Sequence, residues 1–326
     1  MKNHEMIVIG ASAGGVQALK RIAADLDPDL AATICIVMHM PADYESELDQ
    51  IINRAGPLPA KMAENGETIK TGRIYVAPPN HHLIIKDGYL KLSRGPFENR
   101  SRPAIDPLFR SAAVAYGSRA IGVILSGYLD DGTSGMVAIQ RCGGVTMVLD
   151  PTDTPHGDMP KSVLSRINVD YKLRLVEIGS TLNCLVTEPA GGDVEIPEEV
   201  IREAQLAERI MSDIKTEERL GELVPMSCPE CGGPLWEIDV DQVKRYRCHV
   251  GHGFTEWALL VDQDESIEQA LWMAMRTMEE RANLLDKMAE SEHRAGRSRT
   301  EKNFRERADE SRTHANAIRG LMLKKG

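Results

Sequence analysis

The chain has 326 residues, 42% of them apolar and 27% charged, with 27 Gly and 17 Pro, a composition that excludes disordered and collagen-like classes. A formal charge of −10 argues against a general nucleic-acid binder. No run approaches the roughly 18 uncharged apolar residues of a membrane span, no apolar signal region precedes the first strand, and the expected location is the cytoplasm.

The run from Met6 to Gly10 is continuously apolar and ends in small residues; Val16, Leu19, Ile22, Ala23 and Leu26 follow at helical spacing, then a second apolar run over 33–38. This is β-α-β, and strands apolar on both faces imply a parallel sheet covered by helices on both sides. The alternation resumes with a helix over 106–116, a strand over 120–125, a helix over 133–141 and a strand over 145–149. Between the halves lie short strand-like pieces at 73–77, 82–85 and 89–93, the last two joined by Lys86-Asp87-Gly88, which suits a hairpin turn at the edge of the sheet. Helices over 161–165 and near 175–187 close this region before the Gly- and Pro-containing linker at 188–193. The predicted fold class is α/β, a doubly wound, mainly parallel sheet with a β-hairpin edge, over residues 1–188.

A linker and helix are expected over 189–224, the helix starting at Pro197 and running to about Leu223 with Val200, Ala204, Ala207, Ile210 and Ile214 as its apolar stripe. A small cysteine-containing module over 225–257 follows. Over 258–326, Ile267, Leu271, Ala274, Met278, Leu285 and Met288, then Phe304, Ala308, Ser311, Ala315, Ile318 and Met322, fall at spacings of three, four or seven. They predict two long helices pairing as a hairpin or coiled coil, joined near Gly296. From Arg294 onward ten Lys/Arg stand against four acids; this is a solvated helix face or a docking surface for an acidic partner.

Gly10-Ala11-Ser12-Ala13-Gly14-Gly15 lies where a strand passes into a helix. A dinucleotide-binding turn would need Gly in place of Ser12 and an acid at the end of the second strand, where this chain has His39. The same residues satisfy G-x-S-x-G, which leaves a serine hydroxyl at the carboxyl edge of the sheet. His39 ends the neighbouring strand, within reach of Ser12, and Asp130-Asp131-Gly132 follows a third. Serine, histidine and aspartate thus meet at one edge, the constellation of nucleophilic catalysis. His81, His82, Asp106 and Arg102 read as structural hydrogen-bonders and helix anchors, with Arg102 also able to meet an acidic substrate; His156 could border the substrate groove. Cys35 and Cys142 read as buried fillers.

Cys228-Pro229-Glu230-Cys231 is followed, after sixteen intervening residues, by Cys248-His249-Val250-Gly251-His252. C-x-x-C and C-x3-H can each supply half of a tetrahedral zinc site, and the short strand-like pieces between them are too small to fold without a staple. The expected ligands are Cys228, Cys231, Cys248 and His252, with His249 as rival fourth ligand. Four protein ligands would make the zinc structural.

The phrases Ile9-Gly10-Ala11-Ser12-Ala13-Gly14-Gly15, His39-Met40-Pro41, Ala77-Pro78-Pro79-Asn80-His81-His82, Arg102-Pro103-Ala104-Ile105-Asp106-Pro107-Leu108-Phe109, Leu125-Ser126-Gly127 with Asp131-Gly132, and Met159-Pro160 together resemble the catalytic domain of the bacterial chemotaxis protein-glutamate methylesterases. The resemblance covers about 5–188. It implies Ser12 as nucleophile, His39 as general base and then acid, Asp131 rather than Asp130 as its orienter, and backbone N–H groups at Ala13 and near Tyr128 as the oxyanion hole. The implied reaction is hydrolysis of glutamyl methyl esters on receptor or other signalling-protein helices, and deamidation of certain glutamines, with no cofactor for catalysis. Family members commonly have Thr and Met where this chain has Ala13 and Tyr128. The chain starts at the first catalytic strand, so regulation by a phosphorylatable receiver domain in cis is not expected. The C-terminal helices would then bind a partner or a second copy. A non-catalytic adaptor on the same scaffold is the alternative.

Overall fold

The computed structural model describes residues 2–41, 46–192, 194–206, 221–240 and 243–323. Packing of the backbone divides the chain into Met1–Leu259 and Leu260–Gly326.

In the first unit, β1 (Met6–Ala11), α1 (Gly15–Asp25), β2 (Thr33–Met38), α2 (Leu48–Ala55), β3 (Ala60–Met62) and β4 (Ile74–Val76) form one half of a sheet. The hairpin β5 (His82–Lys86) and β6 (Tyr89–Ser93) and then α3 (Ile105–Tyr116) lead to β7 (Ala120–Ile124), α4 (Thr133–Arg141), β8 (Val145–Leu149), α5 (Asp158–Arg166), β9 (Tyr171–Leu173) and α6 (Leu175–Leu185). The seven strands run in the order β3-β4-β2-β1-β7-β8-β9, all pairs parallel. The chain winds one way from β1 and returns to wind the other way from β7, so the switch point lies between these two strands.

Side chains alternate across each strand, and here both faces are covered, which is why the strands read as unbroken apolar runs. Ile7 and Ile9 of β1, with Ile34 and Ile36 of β2, pack under Leu19 and Ile22 of α1, Ile52 of α2 and Ile178 and Leu182 of α6. Met6, Val8, Cys35 and Val37 face the other way, onto Leu108 and Phe109 of α3, Met136 and Ile139 of α4 and Met159 and Val163 of α5. Cys35 and Cys142 are buried fillers, as expected. The hairpin is not at the sheet edge: it forms a two-stranded sheet of its own, and Leu83, Ile85 and Leu90 join the core face that holds α3. The edges belong to β3 and β9, and β4, one strand in from β3, is the piece read at 73–77.

Past α6 the backbone returns to its start. Ala190 N–H donates to the Lys2 carbonyl at 2.9 Å, and Asn3 bridges Pro189. Helix α7 (Glu198–Leu206) then packs on the α3 face through Val200. The continuation expected through Ala207, Ile210 and Ile214 lies outside the described residues, and by Glu222 the chain is a strand rather than a helix. Strands β10 (Glu222–Ser227), β11 (Pro234–Val240), β12 (Val243–Cys248) and β13 (Gly253–Thr255) make an antiparallel four-stranded sheet with its own small core of Leu235, Tyr246, Phe254 and Leu259.

This small sheet is joined to the α/β part by charge. Glu98, just past the hairpin, receives Arg110 of α3 at 2.6 Å and Arg245 and Arg247 of β12 at 3.0 Å each; Glu203 of α7 takes Arg245 as well. All five side chains are buried.

In the second unit, α8 (Glu256–Arg294, beginning in the first unit) and α9 (Ser298–Met322) are antiparallel partners. Gly296 (φ 73°) ends α8, with Arg297 N–H returning to the Glu292 carbonyl at 3.0 Å, a left-handed stop that favours glycine. Met275, Ala282, Leu285 and Ala289 are buried opposite Ala308, Ser311 and Ala315, and Arg312–Asp286 and Arg319–Glu279 flank the seam. On α8 the expected stripe is therefore rotated: Ile267 and Met288 are 49% and 39% exposed.

Removing Glu98 would leave three buried guanidinium groups short of a counter-charge, so Glu98→Ala should destabilise the first unit by about 3–5 kcal/mol in urea unfolding. Burial opposes the charge of Glu98, but Arg110, Arg247 and Arg245 outweigh it and hold its carboxyl well below the ordinary 4.5. The folded state therefore binds fewer protons than the unfolded one, and this stability should be whole above about pH 4.5 and decline as pH falls further. Wild-type and Glu98→Gln stability curves should converge over that acid range; parallel curves would contradict the assignment.

Candidate active site

Adjacent parallel strands present their carboxyl ends side by side, and the register fixes which residues meet there. Ser12 follows β1, and its N–H donates to the Ser126 carbonyl, beyond β7, at 2.8 Å. His39 follows β2, and its N–H donates to the Ala11 carbonyl at 3.0 Å. Asp131 ends the turn after β7. Ser12, His39 and Asp131 line one cleft of about 240 Å³ together with Arg100, Tyr128 and Ala258, at the switch point where open α/β sheets bind ligands. Gly127 lets the two turns close: a Cβ there would stand 2.7 Å from Ser12 Cβ and 2.0 Å from Met159 Sδ.

The His39 and Asp131 side chains meet at 2.7 Å between Nε2 and Oδ2. Asp131 is ionised at neutral pH, so Nε2 carries the proton and Nδ1 is left as the ring's acceptor. Asp131 also accepts from Ile105 N–H (2.7 Å), Asp106 N–H (3.3 Å), Gly132 N–H (3.0 Å) and Asn99 Nδ2 (2.8 Å). Burial opposes its charge, yet His39 and these donors hold the carboxyl below its ordinary value. Two neighbours differ. Burial, reinforced by Asp131, pushes Asp106 up to about 6, and burial pushes Asp130 up to about 6 despite the Thr255 hydroxyl.

The expectation that Asp106 and Arg102 anchor the helix near Pro107 is revised. Asp131 caps α3 from the turn after β7, while buried Asp106 accepts from Gly135 N–H of α4 at 2.7 Å and from Asn99. Arg102 donates to Asn80 Oδ1 and the Gly95 carbonyl and lies over the Phe97 ring, so it braces its own loop. His81 and buried His82 bond backbone carbonyls of Pro79 and Pro96, the structural part expected of them. His156 sits edge-on to Tyr128 at 4.9 Å. Among the described residues, the N–H groups of Ala13 and Tyr128 have no protein acceptor.

Two residues that sequence reasoning did not single out belong to this neighbourhood. Asn99 bridges Asp131 and Asp106, and Thr255 donates its hydroxyl to Asp130 Oδ1 at 2.8 Å while capping Ala258 N–H at the start of α8. Thr255 had a signal, a Thr three residues ahead of a helical N–H; Asn99 had none.

In the small sheet, Cys228 and Cys231 come from the turn between β10 and β11, Cys248 ends β12, and His252 lies in the turn before β13. Their donor atoms all lie within 4.8 Å of one another. Cys228 Sγ–His252 Nδ1 is 3.6 Å, Cys231 Sγ–Cys248 Sγ 3.6 Å and Cys248 Sγ–His252 Nδ1 3.4 Å. Edges of about 3.5–3.8 Å are what a tetrahedral ion with thiolate and imidazole ligands needs, so the cluster could coordinate a metal. The His249 ring instead packs against Gly233.

A comparison with protein families matches residues 7–182 to CheB methylesterase. A Leptospira interrogans protein provisionally named protein-glutamate methylesterase/protein-glutamine glutaminase is 42% identical over 177 residues, 54% of this chain and 92% of that one. The protein-glutamate methylesterase/protein-glutamine glutaminase 1 of Geobacter metallireducens is 39% identical over 178 residues, 53% of this chain and 49% of that one, so the match spans about half of that relative. The crystal structure of the Thermotoga maritima CheB methylesterase catalytic domain, 34% identical, superposes with a TM-score of 0.54 over 56% of this chain and 100% of that domain. With more than half of its residues inside the match, and with Ser12, His39 and Asp131 at the carboxyl edge of the matched sheet, the chain belongs to the CheB methylesterase family.

Proposed function

We propose that this chain hydrolyses glutamyl methyl esters, and deamidates certain glutamines, on helices of receptors or other signalling proteins. The observation that carries this reading is the His39–Asp131 pair sharing one cleft with Ser12 at the switch point of the family's sheet. Nδ1 of His39 takes the proton as Ser12 Oγ attacks the ester carbonyl. The N–H groups of Ala13 and Tyr128 face the oxyanion of the tetrahedral intermediate. Methanol, or ammonia from an amide, leaves with the proton from Nδ1; water then attacks the acyl-serine by the same route and frees glutamate. Asp131 stays ionised throughout and stabilises the imidazolium.

In this reading the protein acts in the cytoplasm, on receptor segments that face it; among the described residues no helix is long and apolar enough to cross a membrane. The metal is structural zinc: three thiols and one imidazole at tetrahedral spacing suit it, and four protein ligands leave no open position. Cys228, Cys231, Cys248 and His252 would hold it, stapling β10–β11 to β12–β13. The helical hairpin serves association with a partner or a second copy. What supports this is an apolar groove of about 470 Å³ within the second unit, lined by Ile267, Leu271, Trp272, Met275, Met322 and Leu323.

Ser12→Ala and Asp131→Asn should each lower kcat on methylated receptor peptides by roughly 10³-fold or more, and the double variant should be little worse than either alone. Full turnover by Ser12→Ala would remove the esterase reading, and peptide binding without turnover by the wild type would favour the adaptor. Metal analysis should find about one zinc per chain and less in Cys231→Ser. Chelation should expose β10–β13 to hydrogen exchange while β1, β2 and β7 stay protected. Light scattering should show association by the wild type that Leu271→Glu/Met275→Glu abolishes; identical masses would mean the groove has no assembly role.

A further inference from the structure

Strand β13 lies beyond the family-matched segment, yet it clasps the loop that carries Asn99. Gly253 N–H donates to the Phe97 carbonyl at 3.1 Å, and Asn99 N–H returns to the Gly253 carbonyl at 2.8 Å. Thr255 N–H donates to Asn99 Oδ1 at 3.1 Å, and Glu98 next door holds Arg245 and Arg247 of β12. Asn99 and Arg100 are both left-handed (φ 48° and 66°), a conformation non-glycine residues keep only when their surroundings impose it.

The clasp also decides which way the Asn99 amide faces. Its oxygen is committed to Thr255 N–H, so its nitrogen must face Asp131 Oδ1 at 2.8 Å and Asp106 Oδ2 at 2.9 Å. Both carboxylates need donors and Thr255 needs an acceptor; the opposite orientation would set oxygen against oxygen twice. One Nδ2 group thus separates two buried acids and leaves Asp131 Oδ2 turned to His39.

We propose that Asn99 is a positioning residue for the Asp131–His39 pair and that Thr255 holds it to that task, which makes the Cys/His module a working part of the active site. The inference rests on the esterase reading above for its kinetic arm only. The module then contributes twice: Thr255 sets the triad's orienting acid through Asn99, and Ala258, one turn into α8, forms part of the cleft wall.

The test uses full-length protein. Asn99→Gly tolerates the left-handed backbone and deletes the bridge; it should lower kcat by about ten- to a hundredfold, the range for one hydrogen bond to a charged group, with KM changed less than about threefold. Thr255→Val keeps the backbone N–H but loses the Asp130 bond and the helix cap, and should lower kcat by about three- to tenfold. In both, the low-field proton resonance of His39 Nε2–H should shift or broaden, a change that mere support of the fold would not produce. If Asn99→Gly fails to fold, Asn99→Asp, which tolerates the same left-handed backbone and keeps an acceptor for Thr255 N–H while losing the Nδ2 donor, decides by the same two readouts. Wild-type kcat with an unmoved resonance overturns the proposal. A wild type without turnover on methylated peptides defeats the esterase reading instead, and the resonance then still decides whether Asn99 positions the pair.

Discussion

The Asp131 carboxylate accepts from His39 at the end of β2, Asn99 in the loop before α3, Ile105 and Asp106 at the start of α3, and Gly132 in its own turn. A helix N-terminus carries unsatisfied N–H groups and a partial positive charge, so a buried carboxylate there is stabilised as an anion. The same anion faces His39. Helix capping and the orientation of the imidazole are therefore one electrostatic arrangement, and neither can be altered without the other. Asp106 and Asp130 lack such a donor set, and burial pushes both up to about 6 while Asp131 remains low.

The small sheet is fastened to this centre by two different means. Its buried arginines converge on Glu98 and Glu203, an interaction whose strength lies more in the penalty for removing one member than in net gain over apolar packing. Beside it, backbone pairing of Gly253 with Phe97 and Asn99 fixes the same loop in register. Charges select the docking position, and the main chain sets the distance.

Much of the α/β part was legible because its strands are buried on both faces and its helices show a plain 3.6 period. Ser12, His39 and Asp131 could be placed on strand ends from the same pattern, since parallel register does the rest. The hairpin misled because a short apolar pair joined by Asp-Gly looks the same whether it borders a sheet or packs on a helix; only the tertiary partner differs. The α3 cap was hidden because its acceptor, Asp131, comes from the turn after β7, 26 positions from Ile105. On α8 the buried seam uses Ala282 and Ala289, whose small side chains weigh little in a hydrophobic pattern, so the larger Ile267 and Met288 took their place in the reading.

The pairing of Asn3 with Pro189, and of Ala190 with Lys2, brings the α/β part back to its point of entry. That point lies at the amino ends of the strands, the margin opposite Ser12. Such a body is topologically a cassette: it could be spliced into a surface loop of another protein, or given new termini elsewhere, with little strain on its sheet. Whatever is attached at that margin starts a full sheet-length from the reacting atoms. Of the chain beyond α7, Ala258 of α8 lines the cleft, so sequence change there reshapes the cleft wall, while additions at the entry margin stay at the other end of the strands.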